Sequence, residues 1–119
     1  MKRIVALLLA AGALIAVPAT PATAAAKPVK ITISVGKKGV PGGPKRVTIK
    51  KGSKVVLVIT IAKGVKAEEI HLHGYDIERK PNAGKPTQIA FTAKLNGVFE
   101  LALHLKGGNE LQIGELTVR

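Results

Sequence analysis

The stretch that decides the fold class is residues 97–118, GVFELALHLKGGNELQIGELTV. Hydrophobic residues recur at every second position in its first half, and residues 106–109 in its middle are rich in glycine and polar side chains. Alternation with period two predicts a β-strand with one buried face, and the glycine-rich centre predicts a tight turn. The stretch therefore predicts a β-hairpin, in which Gly114 marks a bulge or a close approach of two backbones.

The sequence before this hairpin repeats the same pattern. Strand-like segments alternate in polarity or are rich in β-branched residues, and segments rich in glycine, proline and asparagine separate them. The predicted strands are residues 29–35, 46–50, 54–61, 68–76, 87–93, 98–104 and 111–118. Residues 36–45 and 77–85 are predicted to be loops, and residues 94–97 a turn. This arrangement predicts an all-β domain, a sandwich or small barrel of about seven strands.

The N-terminus has a different pattern. Two basic residues at positions 2–3 precede an uncharged apolar run, residues 4–17, and small residues follow. This order is typical of a secretory signal, and the run is shorter than the roughly 20 residues of a membrane-spanning helix. We predict a cleavable signal peptide over residues 1–26, with cleavage after Ala24 or Ala26.

The remaining chain, residues 27–119, is short enough to form one domain. It is expected to be exported to the periplasm, the cell envelope or the medium, and not to span a membrane after cleavage. The sequence contains no cysteine. Thiol catalysis, cysteine-ligated zinc and thiolate-bound copper are therefore excluded.

The chain is strongly basic, with 19 Lys and Arg against 7 Asp and Glu and a net charge of +12. The positive residues cluster in predicted loops and at strand ends: Lys37-Lys38, Lys45-Arg46, Lys50-Lys51, Lys63 with Lys66, and Arg79-Lys80 with Lys85. Two interpretations stay open. The clusters are a solvated face that aids solubility, or they bind an anionic envelope polymer or an acidic protein. Nucleic acid is not expected, because stacking-type binders interleave aromatic with basic residues and only 3% of this chain is aromatic.

Four segments resemble the cupredoxin-like domains of exported bacterial proteins. They are Val47–Val55, with its turn at Gly52, Glu69–Asp76 (EIHLHGYD), Gly97–Leu101 and Gly114–Val118. The resemblance covers nearly all of the chain after the leader and implies a Greek-key β-sandwich. It also implies that residues 69–76 correspond to the segment that carries the first copper-binding histidine, and the last hairpin to the remaining ligands.

The sequence departs from copper-carrying members at the remaining ligand positions. The resemblance places Leu103 near the expected cysteine, Lys106 near the second histidine and Gln112 near the weak methionine ligand. A blue-copper site needs two histidines, a cysteine thiolate and a weak axial ligand. The resemblance therefore implies the scaffold without the electron-transfer site, and a purple binuclear site is excluded because it needs two cysteines.

The three histidines are the candidate metal ligands. His71 and His73 lie two apart on a predicted strand, so both side chains point to one face and can chelate one ion. In the resembling fold, His104 lies near that segment. The three together predict a surface site suited to Cu(II), Zn(II) or Ni(II), with an oxygen ligand from Glu69, Glu100 or Asp76. The alternative is a polar strand face on which His104 hydrogen-bonds a loop carbonyl.

No catalytic constellation is visible. Ser34 and Ser53 lie in a predicted strand and turn, and the adjacent Glu68 and Glu69 point to opposite strand faces. The glycine-rich loop at residues 39–44 lacks the Gly-Lys-Ser/Thr ending and the helix of a phosphate-binding loop. We therefore expect a non-enzymatic binding module, with copper or zinc as the candidate ion, or else a basic domain that binds an anionic partner.

Overall fold

The computed structural model describes residues 27–82 and 84–119, and the predicted signal peptide at residues 1–26 lies outside them. The described residues form eight strands and no helix. The strands are β1 Val29–Val35, β2 Lys45–Ile49, β3 Lys54–Ile61, β4 Ala67–Leu72, β5 Ile77–Arg79, β6 Thr87–Thr92, β7 Gly97–Leu105 and β8 Glu110–Val118. Accordingly, the part of the chain that the structure describes has no helix long and apolar enough to cross a membrane.

The strands form two sheets that pack face to face. The small sheet has the order β1-β3-β6, and the large sheet the order β2-β8-β7-β4-β5. β1 runs parallel to β3 and β2 runs parallel to β8, whereas the other neighbours are antiparallel. The all-β sandwich predicted from the sequence is confirmed, and so is its last hairpin, which pairs β7 with β8.

The core lies between the sheets and consists almost wholly of branched aliphatic side chains. Each strand that lines it contributes the alternate residues that the sequence pattern marked as apolar. The largest fully buried side chains are Ile33, Val35, Ile49, Leu57, Ile59, Ile70, Leu72, Ile89, Leu101, Leu103, Ile113 and Leu116. The opposite faces of both sheets are free to carry polar side chains, and the histidines lie on the outer face of the large sheet.

Residues 68–76 were predicted to form one strand, but the structure divides them. β4 ends at Leu72, and residues 73–76 form a turn into the short strand β5, which the sequence analysis assigned to a loop. The backbone explains the break, because Gly74 and Asp76 have φ angles of +86° and +51°, which no extended strand allows. The Phe99 ring also requires glycine at position 74, since a Cβ there would lie 2.5 Å from its Cδ1 atom.

Residues 94–97 were predicted to form a turn, but the structure has only a bend at Leu95 before β7 begins at Gly97, and this segment connects two sheets and does not close a hairpin. β6 belongs to the small sheet and β7 to the large one. The hydroxyl of Tyr75 donates to the carbonyl oxygen of Leu95 at 3.0 Å and accepts from its backbone N–H at 3.1 Å. The turn after β4 and the segment before β7 are thereby held together, which fixes the turn that begins with His73.

A β-bulge in the last hairpin confirms the role expected for Gly114. The register between β7 and β8 shifts at Leu101/Ala102, where Leu101 pairs with Gly114 but Ala102 pairs with Gln112. Gly114 also meets the small sheet closely, since a Cβ there would lie 3.3 Å from the Cδ1 atom of Ile33. Because side chains alternate between faces, the extra residue, Ile113, reverses the faces of all residues before it on β8.

Candidate metal centre

Two neighbouring strands bring the three histidines together. Glu69 and His71 lie on β4 and face outward, whereas Ile70 and Leu72 between and after them are buried. His73 directly follows the strand and faces the same side as His71. In the pairing with β7, Glu69 lies opposite His104 and His71 lies opposite Ala102. His104 is therefore a diagonal neighbour of His71, the relationship that the sequence analysis expected from the resemblance.

The imidazole rings are close enough to share one ion. The ring centroids are 4.1 Å apart for His71 and His73, 5.5 Å for His71 and His104, and 6.4 Å for His73 and His104. One ring nitrogen can be chosen from each so that all three lie within 4.8 Å of one another. A single ion bound at about 2.0–2.1 Å from each nitrogen requires side-chain rotations that bring the three nitrogens closer together than this.

Each histidine has a carboxylate beside it. Nε2 of His73 lies 2.8 Å from Oε1 of Glu110, which is hydrogen-bond distance. Nε2 of His71 lies 3.8 Å from Oε1 of Glu78, and Nδ1 of His104 lies 3.8 Å from Oε1 of Glu69. Two further ligand groups of similar size result, Glu69–His71–Glu78 and His73–Glu100–Glu110.

Two ring nitrogens in this cluster are buried and have no partner. They are Nδ1 of His71 and Nε2 of His104, which form no hydrogen bond with any described residue. Nε2 of His104 lies 3.9 Å from Glu110, beyond hydrogen-bond distance. The alternative in which His104 bonds a loop carbonyl is not seen for this nitrogen. Buried polar atoms normally have partners, so these two nitrogens are the ones in the cluster that are available to bind a ligand.

Ala102 forms the floor beneath the histidines. Its relative exposure is 0%, although it lies on the outer face and outside the core between the sheets. Its neighbours on that face are His71 and Gln112 across the strand pairs, and Glu100 and His104 two residues away on β7. These larger side chains cover the methyl group of Ala102. Because that group is small, the histidine rings have room to approach one another.

Two of the four carboxylates were missed by the sequence analysis, which expected Glu69, Glu100 or Asp76. Glu69 and Glu100 belong to the candidate groups and Asp76 does not, whereas Glu78 and Glu110 do. Glu78 lies on β5, where the sequence predicted a loop. Glu110 reaches the histidine face only because of the bulge at Ile113. The only sign of β5 in the sequence was one apolar residue, Ile77, followed by the charged residues Glu78 and Arg79.

The positions where copper-carrying members are expected to hold further ligands have other roles here. Leu103 is fully buried in the core, facing away from His104. Lys106 is exposed in the turn of the last hairpin, and Gln112 lies on β8 opposite Ala102. The histidine cluster is therefore built on the face of the large sheet and does not use the three positions named by the resemblance.

The chain resembles solved structures in its fold. No protein-family model matches the sequence, and no curated protein sequence matches it. Several solved structures resemble the chain. A copper-binding protein solved in its apo form by NMR has a TM-score of 0.57 and 16% identity, over 76% of this chain and 86% of its own.

Two further structures resemble the chain to a similar degree. The metal-binding domain of CopA, a Cu(I)-exporting P-type ATPase of Streptococcus pneumoniae D39 solved with Cu(I), has a TM-score of 0.58 and 20% identity, over 76% of this chain and 84% of its own. Copper nitrite reductase from Nitrosomonas europaea has a TM-score of 0.52 and 20% identity, and the match spans 77% of this chain but 41% of the reductase chain. These likenesses, with the two-sheet architecture, show that the chain has a cupredoxin-like β-sandwich fold.

Proposed function

We propose that this protein is an exported, non-enzymatic cupredoxin-like module that binds one divalent metal ion, copper or zinc, through His71, His73 and His104. Export is inferred from the leader pattern of residues 1–26. The absence of cysteine from the sequence means that the ion is not held as blue copper. The proposed role is therefore metal binding without thiolate-mediated electron transfer.

The observation that carries the proposal is the pair of buried nitrogens without partners, Nδ1 of His71 and Nε2 of His104. Leaving a buried polar atom unsatisfied costs about 1–3 kcal/mol. A metal ion bonded to both nitrogens would remove that cost. Nδ1 of His73 is the nitrogen of that ring left for a third bond, because its Nε2 lies 2.8 Å from Oε1 of Glu110.

Ligand chemistry supports copper and zinc as the candidate ions. Neutral imidazole suits Zn(II), Cu(II) and Ni(II), and affinity for a given nitrogen site is highest for Cu(II) in the usual order. Four glutamates lie in the candidate groups and supply negative charge close to the ion. The structures similar to this chain include proteins named for copper binding, which agrees with copper as the first ion to test.

Calorimetric titration of the purified protein with Cu(II) and with Zn(II) tests the proposal. We expect a dissociation constant below about 1 µM for the parent, and loss of binding in the double variant His71→Ala with His73→Ala. The matched control is Thr48→Ala with Thr117→Ala, which removes two side chains from paired positions of β2 and β8 on the same outer face. Absence of binding by the parent, or equal loss in both double variants, would contradict the proposal.

A second candidate function is electrostatic binding of an anionic polymer or acidic protein. The observation that favours it is that the basic side chains of the described residues do not pair with the acidic ones. In the described part of the chain every ion pair within 4.0 Å joins a histidine to a glutamate, so no lysine or arginine is neutralised in this way. Three lysines, Lys37, Lys66 and Lys106, also line one cleft of about 350 Å³.

A further inference from the structure

We propose that the histidine site selects Cu(II) over Cu(I), and that Glu69, Glu78 and Glu110 provide much of this selectivity. The inference rests on the proposed function, because it concerns the oxidation state of the ion held by the same three histidines. It depends on two separate properties of the site, the type of its donor atoms and the charge around them.

The donor atoms favour the harder ion. All candidate donors in the described residues are imidazole nitrogens and carboxylate oxygens. Cu(I) is selected by soft thiolate and thioether sulfur. The sequence has no cysteine and a single methionine, Met1, which falls within the predicted leader. No sulfur ligand is therefore available in the domain.

The charge around the site favours the doubly charged ion. Oxygen atoms of Glu69, Glu78 and Glu110 lie 2.8–3.8 Å from ring nitrogens of the three histidines. The attraction between a carboxylate and an ion is proportional to the charge of the ion. Each glutamate therefore attracts Cu(II) twice as strongly as it attracts Cu(I). No lysine or arginine among the described residues forms an ion pair within 4.0 Å of these carboxylates, although Lys80 lines a cleft with Glu69 and His104.

Glu78 and Glu69 each lie nearer to one ring nitrogen of a histidine than to the other. Glu78 faces Nε2 of His71 and leaves Nδ1, and Glu69 faces Nδ1 of His104 and leaves Nε2. The two remaining nitrogens are the buried ones without partners. A carboxylate on the second nitrogen of a ligating histidine orients the ring and raises its basicity. Glu78 and Glu69 lie 3.8 Å from these nitrogens, so each would act as a positioning residue once a side-chain rotation brings its carboxylate within hydrogen-bond distance. A more basic nitrogen donor would again favour Cu(II).

Competition titrations with both oxidation states test the inference. The purified protein is titrated with Cu(II), and without oxygen with Cu(I), each against a chelator selective for that ion. We expect the dissociation constant for Cu(II) to be at least about a hundredfold lower than that for Cu(I). Equal or tighter binding of Cu(I) would overturn the inference and leave the proposed function intact. Failure to bind Cu(II), Cu(I) and Zn(II) would overturn both.

Matched variants test the role of the carboxylates. Glu78→Gln with Glu110→Gln is expected to raise the dissociation constant for Cu(II) about tenfold or more, and that for Cu(I) by less than about threefold. The control is Glu68→Gln with Glu115→Gln, which removes the same charge from the same sheet at residues outside the candidate groups. Equal weakening for both ions, or the same loss of Cu(II) binding in the control, would show that these glutamates are not the selective element.

Discussion

Nε2 of His73 lies 2.8 Å from Oε1 of Glu110, although 37 residues separate the two in the chain. The contact joins the end of β4 to the start of β8 across β7, the strand that lies between them. It exists because the bulge at Ile113 turns Glu110 to the histidine face. One extra residue in a strand thus decides whether a carboxylate approaches the candidate metal centre or points into the core.

Metal binding is expected to weaken as the pH falls. A protonated imidazole cannot ligate a metal, and histidines ordinarily take up a proton between pH 5 and 8. Titrations with Zn(II) at pH 7.5 and pH 5.5 are expected to show a dissociation constant at least about tenfold higher at the lower pH. Affinity that does not change over this range would show that the ion is held by groups other than the histidines.

The methyl group of Ala102 is expected to control access of the rings to one another. Ala102→Val adds volume beneath the histidines at a site with 0% exposure, and overpacking of this kind costs about 1–3 kcal/mol. If the substitution destabilises the metal-bound protein by about 1.4 kcal/mol more than the metal-free protein, the dissociation constant rises about tenfold. The measurement is calorimetry with Cu(II).

The control for this change is Ala90→Val, on the exposed face of β6 in the small sheet. It makes the same substitution in a strand far from the histidines and is expected to leave binding within about twofold of the parent. An equal effect of both substitutions would mean that Ala102 has no special relation to the site.

Gly74→Ala is expected to lower the free energy of unfolding by about 2–5 kcal/mol. The φ angle of +86° costs an L-residue about 1–2 kcal/mol, and the collision of the new Cβ with the Phe99 ring adds about 1–3 kcal/mol. Urea unfolding measures the loss. Gly108→Ala separates the two terms, because its φ angle is +90° and a Cβ there meets nothing within 4 Å. The prediction is wrong if the two variants lose the same stability.

Removing the three lysines of the cleft is expected to weaken anion binding more than removing three lysines elsewhere on the protein. Replacing Lys37, Lys66 and Lys106 with glutamine should lower the salt concentration that elutes the protein from a sulfated-polysaccharide resin, because electrostatic attraction is screened by salt. The control replaces Lys50, Lys51 and Lys54 with glutamine and removes the same charge. Elution of both variants at the same salt concentration would indicate that only net charge matters.

Local sequence determined the strands and the types of ligand atom in this protein. Alternation at residues 97–118 and in the earlier segments predicted the all-β sandwich, because a strand with one buried face must place hydrophobic residues at every second position. The spacing of His71 and His73 placed both rings on one face for the same reason. The lack of cysteine decided, without any structure, that thiolate-bound copper is excluded.

Only the tertiary structure decided which side chains surround those histidines. Glu78 reaches His71 through the antiparallel pairing of β4 with β5, and Glu110 reaches His73 through the bulge in β8. Ala102 became visible as the floor of the site only when its burial outside the core was known. Strand periodicity assigns a residue to one face or the other, but the neighbours on that face depend on register and bulges, which are fixed by packing between segments distant in the chain.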